Sequence, residues 1–122
     1  MSAEVLRVEQ REPFITADGS EIRELAGVPP GNAVNQSLAQ ATVPAGGDTI
    51  EHFHRATEEI YYFTRGDGRM RLGEDEFAVR AGDCVVIPPG ARHKLWAQSE
   101  LVLLCCCAPA YSHEDTVLLE ER

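Results

Sequence analysis

Residues 46–66, GGDTIEHFHRATEEIYYFTRG, carry a glycine-rich turn, a His-x-His segment, a polar break and an alternating aromatic run. The pieces follow a period of two or turn chemistry, and none keeps a helical period. His52 and His54 are two residues apart, so on a strand both imidazoles leave the same face. Neutral imidazole is also the commonest side-chain ligand for a divalent metal. Glu59 lies at an odd separation from His54 and would point away if the strand ran straight on. The polar Arg55-Ala56-Thr57-Glu58 must therefore turn the chain and reset its phase. Beyond that turn Glu59 shares a face with Tyr61 and Phe63, while Glu58 shares one with Ile60 and Tyr62. Periodicity leaves the two acids tied.

Downstream, GDCVVIPPGARHKLWA (residues 82–97) reads as a Gly82-Asp83 turn, a strand from Cys84 to Ile87, a rigid Pro88-Pro89-Gly90 corner and a new strand opening at His93. Strand patterns recur on either side: Val34 to Val43, Ile60 to Thr64, Met70 to Leu72, Phe77 to Val79, Val85 to Ile87, Leu95, and Leu101 to Cys107. Turn residues separate them at short intervals, as in a β-sandwich or closed barrel. The first 30 residues are less regular and read as edge strands or a dimer arm.

The two segments resemble the paired motifs of the cupin superfamily. Gly46, His52, His54, Glu59 and Gly66 match the first motif; Gly82, Pro88, Gly90 and His93 match the second, and only Ala97 departs, standing where asparagine is usual. The resemblance implies a small single-domain cupin over residues 1–122, with an all-β fold, the double-stranded β-helix or jelly-roll barrel. It also breaks the tie between the acids, implying one divalent metal ion held by His52, His54, Glu59 and His93. The departure at Ala97 touches one polar contact near the site and leaves that ligand set intact.

The composition limits what else the chain does. With 122 residues, 43% hydrophobic, it can bury one core of ordinary size. Its net charge of −9 disfavours nucleic acid and anionic membranes as partners. No apolar run approaches the roughly 20 residues of a membrane helix, and MSAEVLRVEQREPF lacks the apolar block of a signal peptide, so a cytoplasmic protein is expected. Cys84, Cys105, Cys106 and Cys107 have neither zinc-site nor disulfide spacing and read as small buried hydrophobes.

Four protein ligands saturate a tetrahedral zinc ion, whereas octahedral iron, manganese or nickel keeps two positions free. The expected function is a metal-dependent enzyme, an oxygenase or isomerase, acting on a small metabolite. A non-catalytic ligand-binding or sensor cupin is the alternative from another class. Tyr61 is the side chain nominated to donate or accept a proton. Gln36 and Gln40 are candidates for the pocket mouth, Trp96 for the barrel exterior, and His113 for a solvated tail. Met70 and Leu72 should point inward with Arg69 and Arg71 outside. An exposed sheet edge near Val5-Leu6-Arg7-Val8 predicts a homodimer.

Overall fold

Alternation of apolar and polar side chains decides which residues meet across the barrel. In the run Glu58–Arg65, Glu59, Tyr61 and Phe63 are buried while Glu58, Tyr62 and Thr64 are exposed. A computed structural model describes residues 3–27 and 30–121. Its strands are β1 (Phe14–Ile15), β2 (Glu21–Ala26), β3 (Ser37–Val43), β4 (His52–His54), β5 (Glu58–Arg65), β6 (Asp67–Leu72), β7 (Asp75–Arg80), β8 (Cys84–Ile87), β9 (His93–Ala97), β10 (Leu101–Ala108) and β11 (Thr116–Leu118). A single 3₁₀ turn, Val8–Gln10, precedes them.

The strands form a six-stranded sheet in the order β1-β2-β3-β10-β5-β8 and a five-stranded sheet in the order β11-β4-β9-β6-β7. From β3 onward the chain passes repeatedly between the two sheets, which gives the expected double-stranded β-helix. Between them lies a core of Val43, Phe63, Met70, Ile87, Leu101 and Leu103, each no more than 1% exposed. Each such side chain contributes about 1.5–3 kcal/mol by leaving water. Ala97 belongs to this apolar cluster, so the missing asparagine leaves a packed small side chain.

The corner between β5 and β6 needs Gly66. Its φ is +85°, and a Cβ there would lie 2.0 Å from the Glu100 carbonyl oxygen. Residues 14–26, part of the segment read as edge strands or arm, supply β1 and β2. The expected strand from Val34 starts only at Ser37, where pairing with β10 begins. Gln36 and Gln40 do not reach the interior: Gln36 is exposed, and Gln40 lines a shallow outer hollow with Val8 and Arg23.

The sequence reading missed β11, which pairs antiparallel with β4 and sets Thr116 opposite His54. On the outer face of the five-stranded sheet, the buried Glu51 carboxylate binds Arg71 at 2.8 Å and Arg92 at 3.4 Å. Leu119 N donates to Glu51 O at 2.8 Å and Glu51 N to Glu120 Oε1 at 2.9 Å, while Glu120 also pairs with buried Lys94. The segment after β11 is thereby strapped to the sheet. Trp96 lies on this outer face between Arg71 and Lys94, with the cationic groups 5.4 and 5.6 Å from its ring, as expected for an exterior residue.

Candidate metal centre

His52 and His54 leave the same face of β4, and His93 is the direct cross-strand partner of His52. Their ligand atoms all lie within 4.8 Å of one another, and all three side chains are buried. Glu59 approaches from the opposite sheet. Its Oε1 is 3.1 Å from His54 Nε2 and 3.5 Å from His93 Nε2. The phase reset demanded by the sequence occurs between β4 and β5, where Asp115 accepts from Ala56 N at 2.8 Å and Thr57 N at 3.1 Å. Glu58 is exposed, whereas Glu59 is 5% exposed. The geometry thus separates two acids that periodicity could not.

The other nitrogen of each imidazole is tied down. Carbonyl oxygens can only accept, so His52 Nδ1 donates to Ile50 O at 2.7 Å and His93 Nδ1 to Ala91 O at 3.0 Å. Thr116 Oγ1 gives its proton to Ser112 O and accepts from His54 Nδ1 at 2.9 Å. In the neutral imidazole each Nε2 then carries a lone pair aimed into the site. Two electron-rich atoms, His54 Nε2 and Glu59 Oε1, face each other at 3.1 Å, an arrangement that a shared cation relieves. His93 Nε2 is buried without a hydrogen-bond partner among the described residues. A divalent ion fits this donor set.

Electrostatics favours the ligand-competent forms. Burial, then the charge of His93, lowers the His52 pKa and so favours neutral imidazole. Burial alone would raise the Glu59 carboxyl, but the His54 and His93 imidazoles beside it, in their protonated forms, bring it down to about 2, and a cation shared among these atoms would act in the same direction. Burial and the Glu59 charge push Tyr61 well above the ordinary phenol value, so it keeps its proton. Its ring stands edge-on to His93 with centroids 5.8 Å apart, and it lines a pocket together with His52, His54 and Glu59.

Several residues around the site escaped sequence reading. Tyr111 packs its ring against His54 at 5.8 Å and bonds His113 through its hydroxyl at 3.0 Å; His113 itself is exposed, as expected. Asp18 reaches from the turn before β2, its Oδ2 3.8 Å from His52 Nε2. The turn-forming run Thr16-Ala17-Asp18-Gly19-Ser20 and the β-branched Thr116-Val117 were the available signals, though neither indicates what it packs against. The cysteines divide by strand parity. Cys107 is buried and donates to Glu59 Oε2 at 3.4 Å, and Cys105 faces the pocket; Cys106 and Cys84 are exposed, contrary to the expectation that all were buried. Burial, followed by the charge of Glu59, raises the Cys105 and Cys107 thiols, which disfavours their thiolate forms.

The pocket is lined mainly by apolar side chains, among them Phe14, Ile22, Leu38 and Leu103, with Asp18, Glu24 and Glu59 as its acids. Among the described residues lining it there is no lysine or arginine. No helix among the described residues is long and apolar enough to cross a membrane.

Residues 39–107 match the family described as Cupin domain. An uncharacterized protein of Methanocaldococcus jannaschii is 48% identical over 111 residues, covering 89% of each chain. Among solved structures, the polyketide cyclase RemF of Streptomyces resistomycificus is similar with a TM-score of 0.83 at 19% identity, over 99% of this chain and 88% of that one. A Streptomyces PAC13 variant with uridine has a TM-score of 0.81 at 21% identity, over 98% and 93% of the two chains; Pac13 is described as a nucleoside dehydratase. At these identities the structural likenesses establish the fold alone.

Proposed function

This chain belongs to the cupin family, and from that premise we propose that it is a metal-dependent enzyme acting on a small, uncharged, partly apolar metabolite. His52, His54, Glu59 and His93 hold one divalent ion. The observation that carries this reading is the convergence of three buried imidazoles whose Nδ1 atoms are all bonded elsewhere, facing a carboxylate from the opposite sheet. A divalent ion so held supplies Lewis acidity, polarising a carbonyl or hydroxyl oxygen.

The chain's own groups then suit proton movement. Tyr61, protonated beside His93, is a hydrogen-bond donor to an oxygen that gains charge. Apolar walls at Leu38, Leu103 and Phe14 give a bound substrate a partly apolar surrounding. With no lysine or arginine among the described lining residues and three acids present, sugar phosphates and other strong anions are poor candidates, whereas uncharged hydroxylated or carbonyl compounds fit. Of the two reaction classes, isomerase-like proton transfer accords better with these surroundings than oxygenation does.

The four free cysteines accord with a reducing, cytoplasmic setting. Exposed apolar residues at Val5, Ile15, Tyr62 and Val86 support pairing into a homodimer.

The test begins with elemental analysis of protein purified without chelator or nickel resin. Iron- and manganese-loaded protein is then incubated with uncharged catechols, 1,3-diketones, nucleosides and sugars, with sugar phosphates as the anionic control. A product of unchanged mass, or one lighter by water, that disappears in His54→Ala is the expected result. Oxygen uptake would assign an oxygenase instead. Saturable binding without turnover under every metal would make the protein a ligand-binding cupin.

A further inference from the structure

Asp18 lies beside the candidate metal centre, and neither family motif includes it. It sits between β1 and β2, and its two carboxylate oxygens have different surroundings. Oδ1 accepts from Thr16 Oγ1 at 2.7 Å, Ser20 N at 2.9 Å and Ser20 Oγ at 2.6 Å, which accounts fully for its part in the turn. Oδ2 takes no part in those bonds and points at His52 Nε2, 3.8 Å away. The turn is also fixed to the approach to β4, because Ile50 N donates to Asp18 O at 2.7 Å. The carbonyl of the same Ile50 accepts from His52 Nδ1 at 2.7 Å. One residue therefore holds both the His52 imidazole and the backbone of Asp18, whose carboxylate is set by Thr16 and Ser20.

Since His52 donates through Nδ1, the neutral ring presents a lone pair to Asp18 Oδ2. A cation between two acceptors held face to face relieves their repulsion. Atoms bound to one ion at about 2.1 Å are about 3.0 Å apart at a right angle and about 4.2 Å apart when opposite. The Oδ2–Nε2 separation of 3.8 Å falls between those limits.

We propose that Asp18 is a fifth protein ligand, binding the same ion through Oδ2. This rests on the metal reading above and deepens it. Three neutral imidazoles and two carboxylates neutralise a divalent ion. An octahedral ion then has one position left, so a substrate enters by a single oxygen without needing a negative charge. The set favours oxygen-tolerant iron or manganese over tetrahedral zinc.

Two measurements on the full chain test this. In the wild-type protein, the broadening of the Mn(II) electron-resonance lines in ¹⁷O-enriched water counts the waters on bound manganese. One water supports five protein ligands, and two waters overturn the proposal. The second measurement is Asp18→Asn, whose Oδ1 can still accept the turn hydrogen bonds. Cobalt absorption should intensify as coordination falls, and affinity by chelator competition should drop about 10- to 100-fold. An Asp18→Asn protein with wild-type spectrum and affinity overturns the proposal while leaving the four-ligand site standing. Wild-type protein that takes up neither manganese nor cobalt overturns both.

Discussion

Replacing Thr116 by valine keeps the shape of a half-buried side chain but removes the oxygen that accepts from His54 Nδ1 at 2.9 Å. Two routes give the size of the effect. A ligand that loses its outer hydrogen bond usually costs its centre about 10- to 100-fold in metal affinity, or about 1.4–2.7 kcal/mol. Independently, a buried donor left without a partner costs about 1–3 kcal/mol, here the Nδ1–H of a side chain 3% exposed. The two figures overlap because they describe one event: His54 no longer holds the orientation that points Nε2 at Glu59. Thr116→Val should therefore weaken cobalt or zinc binding about 10- to 100-fold in competition with a chelating dye, and Thr116→Ser should bind within about threefold of wild type, because the hydroxyl remains. If Thr116→Val bound metal as tightly as wild type, the claim that His54 is oriented through Nδ1 would be refuted.

Alanine at His52, His54, His93 or Glu59 should each remove most of the metal, whereas Glu58→Ala should retain it; elemental analysis of the five proteins decides. Tyr61→Phe should keep the metal and lose turnover of whichever substrate the panel identifies, so a fully active Tyr61→Phe would remove the tyrosine from the chemistry. Metal-free protein should lose stability in acid. The fold lowers the His52 pKa, so below the unfolded value of 6.5 the unfolded chain gains a proton that the native state resists, and stability present above 6.5 declines. Glu59 adds a second loss from 4.5 down towards about 2. Urea midpoints across pH should show the first decline at no more than about 1.4 kcal/mol per pH unit, and His52→Gln should abolish it. Gly66→Ala should cost about 2–5 kcal/mol, combining a left-handed φ with a carbonyl in the way of the new methyl; an unchanged urea midpoint would contradict it. Light scattering at micromolar concentration should give twice the chain mass, and a monomer mass would count against pairing.

The barrel and its histidines were legible because both depend on local patterns. Parity places His52 with His54 and Tyr61 with Phe63, and turn residues mark most strand ends. The choice between Glu58 and Glu59 was not available from parity, since it depends on how Asp115, far along the chain, holds the crossover at Ala56 and Thr57. Resemblance supplied the choice; in the fold Glu59 faces the imidazoles while Glu58 is exposed. Asp18, Tyr111 and Thr116 were invisible for a related reason: each lies outside the motifs and gains its role only by docking against β4. Gln36 and Gln40 were misread because a shared face does not say which face is inward. The cysteine run was half misread because parity on β10 sends Cys106 outward while Cys105 and Cys107 turn in.

The late position of β11 bears on how the protein matures. All four candidate ligands are synthesised before Asp115, Thr116 and the strap that ends at Glu120. A nascent chain can therefore gather its imidazoles before it can orient them, and an ion captured at that stage is held by a looser His54. Docking of β11 completes the hydrogen bond that orients His54, so the strand made last is the one that finishes the candidate site.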